Sequence, residues 1–295
     1  MSRTRIRNHI PKPFLKWAGG KGQLLDDIEN NLPLKFNRYF EPFLGGGAVF
    51  FHLCQQGFKK HAILSDLNEE LITVYSTVRD SIDELIAELS DGTFKAEKDA
   101  FYEIRNWDRR SDWKIMDPVR RTARMIYLNR TCYNGLYRVN QKGQFNVPYG
   151  RYKNPTICDE ENLRAVSASL KNAEIRCVDF GSAVKKARKE DFIYFDPPYQ
   201  PLSETAYFTD YTAEGFGLDE QKRLALTFQD LHNRGCFVLE SNSDVETIRN
   251  LYSHPDYCID VVKAKRAISC DPEGRGEIAE LLIRNYRETR QQRLA

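Results

Sequence analysis

No two of the seven cysteines are spaced C-x-x-C. The odd, scattered set (Cys54, Cys132, Cys158, Cys177, Cys236, Cys258, Cys270) argues against both a disulfide framework and a zinc ribbon. Reduced, mostly buried thiols are expected instead. Five dispersed histidines offer no H-E-x-x-H, so no metal is expected. No apolar run reaches the roughly 18 residues of a membrane span, and residues 1–13 form a basic, polar lead-in without an apolar signal core. A soluble, cytoplasmic protein is the expectation. Lys21 follows a Gly-Gly turn but is itself followed by Gly22, so the phosphate-loop pattern is missing and a nucleoside triphosphatase is disfavoured. The last absence is local: residues 118–158 contain no Asp or Glu, although acids number 42 in the whole chain.

What is present outlines a sheet. Phe192-Ile193-Tyr194-Phe195 reads as a strand buried on both faces, and it stops at Asp196-Pro197-Pro198-Tyr199. In open α/β sheets ligands sit outside the carboxyl ends of such strands, which puts Asp196 and Tyr199 where chemistry occurs. Upstream, 38–41 reads as a strand, 42–47 as a glycine turn and 48–56 as a helix. The order Glu41-Pro42-Phe43-Leu44-Gly45-Gly46-Gly47 replaces G-x-G-x-x-G and sets an acid where a pyrophosphate would be repelled. Glu41 favours a cationic ligand, and a sulfonium cofactor with an amino-acid tail fits. A second strand, 62–66, ends in Asp66 about twenty residues on, the spacing of a ribose-binding acid. Capping of the helix expected at 68–79 is the alternative role for Asp66. Further strands are expected at 174–178 (running into Asp179-Phe180), 236–239, 258–262 and 280–284, with helices at 219–233 and 244–252.

Helices dominate 82–127, with Pro118 as a breaker, and 133–148 alternates around Lys142-Gly143 as a β-hairpin. The acid-free stretch carries Arg120, Arg121, Arg124, Arg130, Arg138, Lys142, Arg151 and Lys153 among tyrosines, the pattern of a surface that neutralises phosphates and stacks on bases. Arg124 and Arg130 are candidates for phosphate contacts. Arg138, Asn134, Asn140 and Gln144 supply the groups that read guanine and adenine in a major groove. The fold expected is a Rossmann-like α/β methyltransferase sheet with an inserted, mainly helical DNA-recognition domain carrying the hairpin. Its parts are a catalytic and cofactor-binding segment at 1–80, the insert at 81–165, the second catalytic segment at 166–288, and a disordered tail at 289–295.

An amino group conjugated to a base ring is a poor nucleophile. Asp196 and a carbonyl of the proline turn can accept its hydrogen bonds, and these acceptors bind better as positive charge grows on the nitrogen. Asp196 is thus read as an acceptor rather than as a base, with Tyr199 stacked on the ring. A target inside a duplex has to be flipped out first, at a cost of a few kcal/mol.

Taken together, Phe14-Leu15-Lys16-Trp17-Ala18-Gly19-Gly20-Lys21, Phe40 to Gly47, the hairpin 133–140 with 145–152, and Asp196-Pro197-Pro198-Tyr199 followed by 201–208 resemble the Dam-type (alpha-class, D12) N(6)-adenine DNA methyltransferases, which recognise GATC. The likeness covers nearly the whole chain. It implies S-adenosylmethionine as methyl donor, with Trp17, Lys21, Asp66 and Asp196 at cofactor-contacting positions. Phe40, Glu41, Phe43, Gly45, Gly47, Asp179 and Phe180 fall at positions lining the methionine and adenine ends. It further implies Tyr133 as a wedge into the base stack, target contacts from Asn134, Leu136, Arg138 and Pro148, Lys16 reaching a guanine, and the 201–208 loop closing near the flipped adenine. Double-stranded DNA containing GATC is the implied partner of a monomeric enzyme, and a cognate restriction endonuclease acting on the same site is a further partner left open. Methylation of cytosine or of a protein glutamine is the enzymatic alternative. A non-enzymatic sequence-specific DNA-binding protein is the other.

Overall fold

The computed structural model describes residues 10–199, 216–265 and 277–290. The 201–208 loop and Cys270 lie outside these residues. Two compact units emerge: one of residues 1–20, 45–59 and 68–175, the other of 21–44, 60–67 and 176–295.

A seven-stranded sheet, six of whose strands lie in the second unit, consists of β1 Tyr39–Glu41, β2 Ala62–Asp66, β3 Ala173–Cys177, β4 Phe192–Phe195, β5 Phe237–Ser243, β6 Cys258–Lys265 and β7 Glu277–Arg284. Their order is β3-β2-β1-β4-β5-β7-β6, consistent with a Rossmann-like methyltransferase fold. β1 pairs in parallel with β2 and β4, β4 with β5, and β7 enters antiparallel between β5 and β6. Strand order reverses between β1 and β4, where Tyr39 faces Phe192 and Phe40 faces Ile193; this is the switch point at which open α/β sheets bind ligands. β4 is buried at all four positions, as a central parallel strand requires. Its Ile193 and Phe195 pack with Phe40, Phe180, Leu224 and Phe228 in one core, each side chain contributing on the order of 1.5–3 kcal/mol.

β5 runs four residues beyond the expected 236–239. Glu240, Ser241, Asn242 and Ser243 look like a loop by composition, yet all are buried, because each polar side chain finds a partner. The expected disordered tail is corrected at its start: Thr289 is buried and bridges Pro33, and Arg290 donates its amide to Leu32.

The first unit is helical, with helices Ala48–Gln55, Glu69–Asp80, Ile82–Ser90, Lys98–Arg105, Pro118–Thr131 and Glu160–Leu170. Pro118 begins a helix instead of breaking one. Asp117 caps it by accepting from the Val119 amide, and a proline in the first turn forfeits no intrahelical hydrogen bond. Asn68, not Asp66, caps the helix Glu69–Asp80 through the Leu71 amide, which removes the capping alternative for Asp66. Within the lead-in expected at 1–13, Pro11 is buried and its carbonyl accepts from Gln55, while Lys12 exchanges two hydrogen bonds with Asn162. Of six described cysteines, Cys132 and Cys236 are buried, and burial pushes their thiols up to about 12 and about 11. Cys177 is exposed, so the expectation of mostly buried thiols holds for only part of the set.

Candidate active site and nucleic-acid interface

In the sheet unit, β4 delivers Asp196 at its carboxyl end. Lys21, in the 3-10 turn Lys21–Gln23, is buried and places Nζ 2.8 Å from Asp196 Oδ1. Ser241 of β5 donates to the same oxygen at 3.1 Å and shares a 2.9 Å hydrogen bond with the Tyr194 hydroxyl. Burial pushes the Asp196 carboxyl up, against the opposing pull of the Lys21 ammonium and the Ser241 hydroxyl. Both partners described for the carboxylate fall on Oδ1. Lys21 Nζ also lies 4.5 Å from the centre of the Tyr199 ring, and the Tyr199 hydroxyl, held well above its usual pKa by burial, donates to Glu280. A proline turn with an acceptor and an aromatic ring is thus held from three sides.

Around the switch point, Glu41 is buried and accepts from Tyr39 at 2.8 Å, and the Leu44 amide ties the turn after β1 to Ser65 of β2. Phe43 and Phe180 lie 5.5 Å apart between ring centres, with Phe40 in the core beneath them. Asp179 caps the short helix Phe180–Val184 through the amides of Gly181 and Ser182. Burial works to raise its carboxyl, but Ser182, Arg223 and the Gly181 amide outweigh it and hold it below the usual carboxylate range. Carboxylates at the ends of β1, β2 and β4 beside an aromatic pair fit a ligand with amino, hydroxyl and ring groups.

The helical unit holds the other candidates. Trp17 stacks on Tyr137 at 5.0 Å and 18°, and a Cβ on Gly45 (φ +47°) would meet the Trp17 ring at 2.9 Å, so glycine is required there. Gly47, also left-handed, precedes the helix Ala48–Gln55. The buried Asn129 is a residue that the sequence did not single out. Its amide binds the backbone N–H of Lys16 at 2.8 Å, the carbonyl of Lys16 at 2.8 Å and the carbonyl of Gly135 at 3.0 Å, fixing Lys16 beside the turn Tyr133–Gly135. In that turn Tyr133 is 55% exposed and Asn134 takes φ +56°; Leu136 is half-buried and Pro148 exposed.

The hairpin is present in part. Val139 bridges Phe145 and the Asn146 amide donates to Arg138, whereas Tyr133–Gly135 is a 3-10 turn. One expected DNA contact is corrected. Arg124 is 4% exposed, pairs with Asp108 at 2.7 Å and donates to the carbonyls of Ile104 and Arg105, so it supports the helices. Asn140 engages its amide in the turn, accepting from Lys142 and Gln144 amides and donating to Gln144 Oε1. Arg130 is half-buried and donates to the Phe14 carbonyl. The acid-free stretch is partly neutralised in space: Arg120 meets Glu88 at 3.8 Å and Arg121 pairs with Glu70. Arg138, Lys142, Arg151 and Lys153 stay exposed.

A family model described as D12 class N6 adenine-specific DNA methyltransferase matches residues 17–268. The chain belongs to this family. Among its relatives, the type II methyltransferase M.MjaIII of Methanocaldococcus jannaschii is 48% identical over 93% of this chain and 99% of its own. The type II methyltransferase M1.LlaDCHI of Lactococcus lactis subsp. cremoris is 45% identical over 93% and 95%. A DNA adenine methylase of Vibrio cholerae is 38% identical over 92% and 95%. The D12-class enzyme is therefore an adenine-specific DNA methyltransferase, with DNA as substrate and S-adenosylmethionine implied as donor. No helix among the described residues is long and apolar enough to cross a membrane.

Proposed function

We propose that this enzyme methylates the exocyclic amine of adenine within GATC in double-stranded DNA, acting on a base flipped out of the duplex, with Asp196 as the catalytic acceptor. The observation that carries the reading is the Asp196 carboxylate at the switch-point end of β4, with one oxygen held by Lys21 and Ser241. Burial pushes the Asp196 carboxyl up, and the Lys21 ammonium opposes that push in favour of the ionised form. An ionised, immobilised acceptor strengthens its hydrogen bond as the target nitrogen gains positive charge, which lowers the barrier without a prior proton transfer. The Pro197 carbonyl is the second acceptor, and Tyr199, fixed at its hydroxyl by Glu280, presents its ring for stacking.

The donor supplies an electrophilic methyl group when bound. Glu41, Asp66 and Asp179 are assigned to its amino and hydroxyl groups, and Phe40, Phe43 and Phe180 to its apolar parts. Trp17, Lys21, Gly45 and Gly47 are carried by the resemblance to the same ligand. For DNA, Tyr133 is assigned as the wedge, Asn134, Leu136, Arg138 and Pro148 as target contacts, Lys16 as the guanine contact, and Arg130 as a backbone contact. A cytoplasmic monomer, alone or beside an endonuclease of the same specificity, completes the reading. Its test is Asp196→Ala: methyl transfer to a GATC duplex should vanish while the far-ultraviolet spectrum and cofactor binding persist. Wild-type turnover in that variant would remove Asp196 from the chemistry.

A further inference from the structure

The Asp196-Pro197-Pro198-Tyr199 turn has two consecutive residues without an N–H, so its backbone cannot be secured by the amide hydrogen bonds that normally fix a turn. It has to be anchored through carbonyls and side chains. Gln221, in the first turn of the helix Leu218–Asn233, is fully buried and donates Nε2 to the Pro198 carbonyl at 3.2 Å. Its other end is engaged as well. Gln221 Oε1 accepts from Asn242 Nδ2 at 3.0 Å, and Asn242 Nδ2 also donates to Glu240 Oε1 at 2.8 Å. Glu240 Oε2 accepts from the Tyr252 hydroxyl at 2.7 Å.

The direction of this chain of hydrogen bonds is determined by groups whose polarity cannot change. Asn242 Oδ1 accepts from the Ser243 backbone amide at 2.9 Å, and an N–H can only donate. The Pro198 carbonyl can only accept. Between these ends, Asn242 must turn its NH2 toward Gln221, and Gln221 must turn its NH2 toward Pro198. Glu240, Asn242 and Gln221 are all 0% exposed, so an amide reversed at any step would leave two donors or two acceptors facing each other without water, a large penalty for buried groups. A buried polar series with a single satisfied orientation aims one carbonyl of the catalytic turn.

We propose that Gln221 is a positioning residue for methyl transfer: through Pro198 it sets the backbone direction of the turn that carries Asp196 and the Pro197 carbonyl. This rests on the reading of Asp196 given above and extends it to a residue that touches neither substrate nor cofactor. Displacements of about 1 Å at a reacting group can cost two orders of magnitude in rate, so losing the anchor acts on the chemical step and not on binding.

The test compares Gln221→Met, which keeps the volume and removes both hydrogen bonds, with Gln221→Glu, which keeps the acceptor for Asn242 but at neutral pH offers the Pro198 carbonyl no donor. Single-turnover methyl transfer from tritiated S-adenosylmethionine to a GATC duplex is measured at pH 8 and pH 5.5, with KM for both ligands and the thermal midpoint. Both variants should lose at least tenfold in the single-turnover rate at pH 8, with KM values within twofold of wild type. Gln221→Glu should regain activity relative to wild type at pH 5.5, where a protonated carboxyl can donate, and Gln221→Met should not. A lowered midpoint with an unchanged rate in either folded variant overturns the proposal and leaves Gln221 a packing residue. Should the methionine variant fail to fold, the pH recovery of the glutamate variant decides alone. An Asp196→Ala control separates the two ideas: its inactivity beside a fully active Gln221→Met refutes positioning only, whereas full activity in Asp196→Ala refutes the reading on which positioning depends.

Discussion

Replacing Lys21 by methionine removes the cation that opposes the effect of burial on Asp196. The ammonium sits 2.8 Å from Oδ1, with the lysine side chain 7% and the aspartate side chain 20% exposed. At that distance an effective dielectric of about 20 gives a Coulomb ceiling of about 6 kcal/mol. Breaking buried pairs costs about 3–5 kcal/mol, because the stranded charge stays desolvated. Ser241 continues to donate to Asp196, and a fifth of the side chain sees solvent, so the lower end applies. The carboxyl escapes part of the penalty by taking up a proton. The carboxyl is already pushed up by burial, and losing the cation moves it further in the same direction. A neutral acid is a poorer acceptor, so the acid limb of the rate should move toward higher pH, with part of the lost rate recovered as the pH is raised. Single-turnover methyl transfer at saturating cofactor from pH 5.5 to 9 measures this. A profile scaled down by a constant factor, with its acid limb unmoved, would refute the reasoning.

Three further outcomes are expected. Arg124→Met should destabilise the protein by about 1–3 kcal/mol in urea titrations, through the unpaired Ile104 and Arg105 carbonyls and a weakened hold on Asp108, which Arg109 still pairs, and leave discrimination among DNA sites unchanged; altered site preference at normal stability would return Arg124 to the interface. Arg138→Ala should relax discrimination at one base by roughly 1–3 kcal/mol, read over all single-base variants of GATC, and an unchanged preference would contradict its assignment. Burial raises the Glu240 carboxyl to about 7. A folded-state pKa above the unfolded one, about 4.3, favours the fold fully below the unfolded value and loses that contribution as pH rises through 7, here about 3 kcal/mol. Glu240→Gln should therefore flatten the fall in stability between pH 4.5 and 7.5, as followed by thermal denaturation, and an unaltered slope would mean that Glu240 does not titrate there.

The parts of the fold legible in the sequence were those written in apolar runs. Phe192–Phe195 and Ala62–Asp66 stand where composition put them, because a central parallel strand needs buried residues on both faces. The half of β5 from Glu240 to Ser243 was not legible, since its burial depends on partners from Tyr194, Gln221 and Tyr252 that no local pattern reveals. The same reason hid Ser241, Glu280 and Gln221 from the candidate site; a polar run directly after an apolar strand was the one available signal. The acid-free stretch misled in the opposite sense, because Glu70, Glu88 and Asp108 come from outside it to meet its arginines. Asn129 shows how a neutral residue inside a helix can tie Lys16 to the turn Tyr133–Gly135 through backbone groups, which charge patterning cannot display.

Expression of the chain in a methylation-free host, followed by digestion of the host DNA with one nuclease blocked by N6-methyladenine in GATC and another that requires it, tests the central claim most directly. Resistance to the first and cleavage by the second are expected. Cleavage by the first and resistance to the second, from a folded and well-expressed chain, would contradict it.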